Sequence, residues 1–93
     1  MALKHVAGEN HGHIVVYALS TCPWCHKAKH LLSELGAEYY YEDVDLLGEE
    51  EQRNVMVEVA RCNPGRSFPT IVINDKNAII GFDETALRKL MTP

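Results

Sequence analysis

The sequence predicts an α/β domain of order β-α-β-α-β-β-α, a four-stranded mixed sheet flanked by helices. Three patterns point to it. Ile14-Val15-Val16-Tyr17-Ala18-Leu19 is a continuous, largely β-branched run, as in a strand covered on both faces. It leads into a helical stripe, with Ala28, Leu31, Leu32 and Leu35 spaced for one face of a helix. Near the end, Thr70-Ile71-Val72-Ile73 and Ala78-Ile79-Ile80 flank the turn residues Asn74-Asp75-Lys76-Asn77, the pattern of an antiparallel hairpin.

The elements follow in order. Residues 1–12 carry Gly8, Asn10 and Gly12 and no periodicity, so they read as a flexible leader before a domain over 13–93. The first strand ends at Ser20-Thr21-Cys22-Pro23, and Gly36 closes the first helix as a C′ glycine. Glu38 to Val44, with Tyr39, Tyr40 and Tyr41, reads as a second strand. The helix between these strands makes them parallel with a right-handed crossover. Glu49-Glu50-Glu51 puts acids in a first helical turn, where they complement the dipole. Val55, Val59 and Cys62 form that helix's apolar face, and Asn63-Pro64-Gly65 ends it. Asp83 suits an N-cap, with Leu87, Leu90 and Met91 giving a last amphipathic helix.

A chain of 93 residues makes one small domain, and 46% hydrophobic residues suffice for one core. The net charge of −4 argues against nucleic acid as the main partner, since phosphate binding needs a basic face. Met1 to Gly12 holds no apolar h-region, and Ile14 to Leu19 is too short to span a bilayer. The reading is a cytoplasmic protein with no membrane partner, and nothing demands more than a monomer. Three cysteines, an odd number, do not make a secreted disulfide framework. In a reducing compartment a Cys-x-x-Cys is redox-active or metal-binding.

Cys22-Pro23-Trp24-Cys25 stands where a strand ends and a helix begins. Cys22 is then the N-cap and Pro23 the first helical residue, a position that needs no N–H. The free amides of Trp24 and Cys25 and the positive end of the dipole favour a thiolate at Cys22. His26, Lys27 and Lys29 add positive charge if they turn toward it. Cys25, one turn inside, is shielded and is the natural resolving thiol. Cys22 attacks a disulfide to give a mixed disulfide, and Cys25 then attacks Cys22 to release the reduced product. A zinc site needs two more ligands. His26 and His30 are candidates, but they lie on the helix beside the cysteines, a cramped arrangement for a tetrahedron, and the expectation is no metal.

These features resemble the glutaredoxin family within the thioredoxin-like fold, over nearly all of the chain after residue 13. Tyr17 through Cys25, with His26-Lys27-Ala28-Lys29, is similar to the family's Cys-Pro-aromatic-Cys site and its helix. Ser67-Phe68-Pro69 before a strand is similar to its Thr-Val-Pro element. Gly81-Phe82-Asp83 is similar to the segment that opens its last helix. The resemblance implies a substrate-facing set of Thr21, Pro23, Trp24, Ser67, Phe68, Pro69, Gly81, Phe82 and Asp83. It implies a cis Pro69 that turns the Phe68 backbone toward a bound disulfide, which pairs as an added strand. It also implies that Asp83 and the amides after it hold the γ-glutamyl end of glutathione.

Two positions depart from the glutathione-using pattern. Leu19 stands where a lysine three residues before the first active cysteine is typical, and Ile80-Gly81 replaces Gly-Gly. The reductant is therefore glutathione or another small thiol, with no bound cofactor. The partners are disulfide-containing proteins or small-molecule disulfides and a reductase or thiol pool. Two alternatives stand beside the oxidoreductase reading. One is a redoxin-type hydrogen donor fed by thioredoxin reductase or another small thiol. The other is an iron–sulfur carrier bridged by Cys22 from two chains, against which Pro23 counts. Of the remaining residues, Cys62 reads as a buried inert thiol and Trp24 as an exposed contact surface. Tyr39 to Tyr41 alternate across a strand, and for His5, His11 and His13 weak metal binding stands as an alternative to the better reading, a flexible leader.

Overall fold

In the computed structural model, which describes residues 3–92, the chain runs β1 (Lys4–Val6), β2 (Ile14–Ala18), α1 (Pro23–Glu34) and β3 (Tyr39–Asp43). A short 3-10 turn (Val44–Leu46) follows, then α2 (Glu49–Cys62), β4 (Thr70–Ile73), β5 (Asn77–Ile80) and α3 (Glu84–Lys89). The sheet order is β1-β3-β2-β4-β5. β2 pairs parallel with β3 and antiparallel with β4, and β5 completes the hairpin with β4.

The sheet has five strands rather than the four expected. The fifth, β1, comes from the segment read as a flexible leader and pairs antiparallel with β3, Lys4 opposite Tyr41 and Val6 opposite Tyr39. It is three residues long, mostly exposed and at an edge, so it needs no apolar alternation to form. Side chains hold it instead. Lys4 Nζ lies 5.8 Å from the Tyr41 ring centroid, the His5 ring lies 4.8 Å from that of Tyr40, and His5 Nε2 meets Glu38 Oε2 at 2.8 Å.

Strand alternation divides the interior in two. Ile14, Val16 and Ala18 of β2 pack with Cys25, Ala28, Leu31 and Leu32 of α1 and Leu87 of α3. Val15 and Tyr17 face the other way and pack with Val55 and Val59 of α2. All five residues of β2 are buried, which is why that strand reads as an unbroken apolar run. Gly36, just past α1, has φ of +71°, the left-handed conformation of a C′ glycine. The result is a central strand, β2, that leads through a short loop to the start of α1, which carries the Cys-x-x-Cys.

Candidate active site

Cys22 caps α1, with Pro23 at its first position. The Cys25 N–H donates to Cys22 Sγ at 3.3 Å, so an otherwise free helix amide faces the sulfur. Cys22 is half-buried, and Cys25 is fully buried in the core under α1. Burial first, then the hydrogen bond from the Cys22 side, push the Cys25 thiol from an ordinary 9.0 up to about 12, against the backbone at Leu19 and the charge of Lys29. At neutral pH Cys25 therefore keeps its proton, while Cys22 Sγ stands at the helix N-terminus facing a free amide.

The basic side chains near the motif are engaged elsewhere. Lys27 Nζ lies 4.6 Å from the Trp24 ring centroid. Lys29 meets Asp43 at 3.3 Å and lies 4.4 Å from the Tyr41 ring centroid. His26 Nε2 bonds the Ser20 carbonyl at 2.7 Å, and His30 pairs with Glu34 at 2.7 Å. Among the described residues, no three His, Cys, Asp or Glu side chains are grouped to hold a metal ion.

The other residues singled out by sequence come from two further segments. The Phe68–Pro69 bond is cis, Pro69 is buried, and Phe68 is half-buried against both cores. Gly81, with φ of +78°, donates its N–H to the Pro69 carbonyl at 2.9 Å, tying the two segments together. Trp24, 56% exposed, stacks on Phe82 with ring centroids 6.2 Å apart, which brings the third segment beside the cysteines. Thr21, Pro23, Ser67 and Asp83 are exposed, and Asp83 caps α3 by accepting from the Ala86 N–H at 3.0 Å. Cys62 is half-buried rather than buried, packed at the margin of the α2 core.

Two residues that position these segments were not legible. Asn63, read only as a helix stop, is buried. Its Nδ2 lies 3.1 Å from Ser67 Oγ and 2.9 Å from Thr70 Oγ1, and its Oδ1 accepts from the Gly65 N–H at 3.2 Å. It pins the loop before Pro69. Asp45, in the turn after β3, accepts from both the N–H and the hydroxyl of Ser20. The only local signal for either is an Asn or Asp at the end of an element.

A cleft of about 370 Å³ lies beside Phe68, lined by Leu19, Val44, Asp45, Gln52, Met56 and Phe68. Its wall holds a carboxylate and no basic side chain. A larger cleft of about 530 Å³ runs along α2 from Gln52 and Met56 to Ala60 and Arg66, and it holds neither cysteine.

The family model for glutaredoxin matches residues 14–78. A probable glutaredoxin from Synechocystis is 41% identical over 64 residues, covering 69% of this chain and 68% of that protein. The crystal structure of a methanoredoxin from Methanosarcina acetivorans aligns with a TM-score of 0.92 at 47% identity, covering 100% of this chain and 97% of that one. A glutaredoxin structure from Methanosarcina mazei aligns with a TM-score of 0.91 at 43% identity, covering 100% and 90%.

Proposed function

Because this chain belongs to the glutaredoxin family, whose chemistry is thiol–disulfide oxidoreduction, we propose that it reduces protein disulfides or low-molecular-weight mixed disulfides through the Cys22–Cys25 dithiol. The observation that carries this reading is the asymmetry of the pair. Cys22 is half-buried at a helix N-terminus with an amide on its sulfur, and Cys25 is buried beneath it with its proton held on.

The Cys22 thiolate attacks one sulfur of the substrate disulfide. A new S–S bond forms, the substrate S–S bond breaks, and the leaving thiolate takes up a proton. Cys25 then loses its proton and attacks Cys22 Sγ. The second product thiol leaves, and the enzyme holds a Cys22–Cys25 disulfide. Two electrons have passed from the dithiol to the substrate, and two equivalents of an external thiol or a reductase restore it. The exposed Trp24, stacked on Phe82, gives the substrate an apolar platform beside the sulfur. On this reading Thr21, Ser67, Phe68, Gly81 and Asp83 complete the substrate-facing set, and the Phe68 backbone pairs with an extended partner.

A second reading concerns the reductant. Leu19 and Asp45 line the cleft beside Phe68, where a lysine would be typical of glutathione users. A carboxylate entering there meets Asp45 and no cation, which supports a small thiol other than glutathione, or a reductase. NADPH consumption with a small mixed-disulfide substrate tests both readings. One mix holds glutathione and glutathione reductase, and the other holds thioredoxin reductase alone. Turnover in the first makes glutathione the reductant, and turnover only in the second makes the protein a redoxin. Silence in both, with Cys22 still alkylating fast at neutral pH, assigns a different small thiol. Silence together with an inert Cys22 overturns the oxidoreductase reading.

A further inference from the structure

We propose that Asp45 is a positioning residue for Cys22, acting through a clamp on Ser20; the proposal rests on the reading of Cys22 as the attacking thiol. The parallel ladder between β2 and β3 ends at Ala18 opposite Asp43. Beyond it the two chains part, one toward α1 and the other into the 3-10 turn. Two residues further along each, Ser20 and Asp45 meet. The Ser20 N–H donates to Asp45 Oδ1 at 2.8 Å and the Ser20 hydroxyl to Oδ2 at 2.5 Å. A side-chain carboxylate thus continues the pairing where the main chain can no longer do so. It is suited to this because its two oxygens accept both donors at once.

The third polar group of Ser20, its carbonyl, accepts from His26 Nε2 at 2.7 Å. Every polar group of Ser20 is therefore held by a side chain from another element: Asp45 from the turn and His26 from α1. The turn is itself anchored, because Gln52 Nε2 of α2 donates to the Val44 carbonyl at 3.0 Å. Ser20 is two residues before Cys22, and the Cys22 N–H closes the same loop onto the Leu19 carbonyl at 3.1 Å. Fixing Ser20 fixes where the loop enters the helix, and so where Sγ stands relative to the Cys25 amide. The two bonds from Ser20 hold the Asp45 carboxyl below its ordinary value, so the clamp stays ionised through the neutral range.

The test measures Cys22 alkylation by iodoacetamide against pH, read by peptide mass spectrometry so that Cys62 is followed separately. Asp45→Ala is expected to slow Cys22 alkylation at pH 7 by about three- to tenfold, the effect of losing a hydrogen bond or two. It should also change the shape of the rate–pH profile, which a merely structural loss would leave unaltered. The Ser20→Ala/Asp45→Ala pair should match Asp45→Ala alone, because both act on one contact. Asp45→Asn should recover most of the rate, since its oxygen still accepts the Ser20 N–H and its amide can donate to the hydroxyl. Asp45 is exposed, so its loss should lower the melting temperature by several degrees and leave the variants folded and readable. Wild-type rates in Asp45→Ala, a double variant slower by the product of the singles, or an Asn variant as slow as Ala would each overturn the clamp. Wild-type Cys22 alkylating no faster than Cys62 would overturn the nucleophile assignment itself, and the clamp with it.

Discussion

Cys22 and Cys25 carry the same side chain, three residues apart, and differ only in what surrounds the sulfur. That difference sets expectations for each alone. Cys22→Ser removes the thiol that faces a free helix amide, so turnover on every disulfide substrate should fall to background. A variant keeping most of its turnover would contradict the assignment. Cys25→Ser leaves the nucleophile and removes its resolver. It should keep activity on small mixed disulfides, lose reduction of protein disulfides, and accumulate a Cys22 mixed disulfide detectable by mass spectrometry. The geometry behind this assignment was legible in sequence because it depends on neighbours within one turn: Pro23 at the first helical position and the amide of Cys25. The contacts of Asp45 and Asn63 were not. Asp45 meets a partner 25 positions away, and the polar partners of buried Asn63 are set by a loop conformation that no local pattern encodes.

At the scale of elements, what could be read depended on which faces were covered. β2 and β4 are buried along their whole length, and their apolar runs announce them. α1, α2 and α3 show their stripes and their stops. β1 could not be read, because an edge strand of three residues is held by a backbone ladder and by rings on a neighbour chosen by the fold. The 3-10 turn after β3 was absorbed into the expected strand for a related reason, since Val44 is buried like a strand residue while its backbone has already turned. α3 depends on a local contact at its start. It is six residues long, and Asp83 accepts from the Ala86 N–H at its start. Asp83→Ala should lower unfolding stability by about 1 kcal/mol, the usual value of a side-chain cap. Urea unfolding checks this. Because α3 follows directly on Gly81-Phe82, the same variant should loosen the Trp24–Phe82 stack, seen as a change in fluorescence of the single tryptophan.

For the molecule as a whole, the two-sided core sets how stability responds to pH. Each side buries a group that keeps its proton longer in the fold than in the open chain. Under α1 this is Cys25, raised from 9.0 to about 12 by burial and its link to Cys22. Under α2 it is Tyr17, raised from 10.0 to about 12 by burial and the charge of Glu58. Where the unfolded chain has released a proton that the fold retains, stability falls with rising pH. The contribution of Cys25 is thus whole below pH 9 and lost between 9 and about 12, and that of Tyr17 is lost from 10 upward. The reduced protein should melt at progressively lower temperature above pH 9, with a shallower slope in Cys25→Ser; equal slopes would contradict the burial argument. Glu42 on β3 extends the same logic to acid. It is 1% exposed, and its Oε2 has no hydrogen-bond partner. Loss of hydration raises its carboxyl above the ordinary 4.5, despite the opposing charge of Lys4. A carboxyl raised in the fold stabilises it below 4.5 and gives that stability up as pH rises through the higher folded value, the reverse of a salt-bridged acid. Glu42→Gln keeps the shape and removes the proton. It should flatten the part of the melting profile just above pH 4.5 and be more stable than the parent at neutral pH, where the parent must either hold a proton against the solution or bury a charge. Melting curves of the two proteins from pH 4 to 8 decide it: parallel profiles would show that water or a cation reaches Glu42 after all, and converging profiles toward acid would show a carboxyl that the sheet holds neutral.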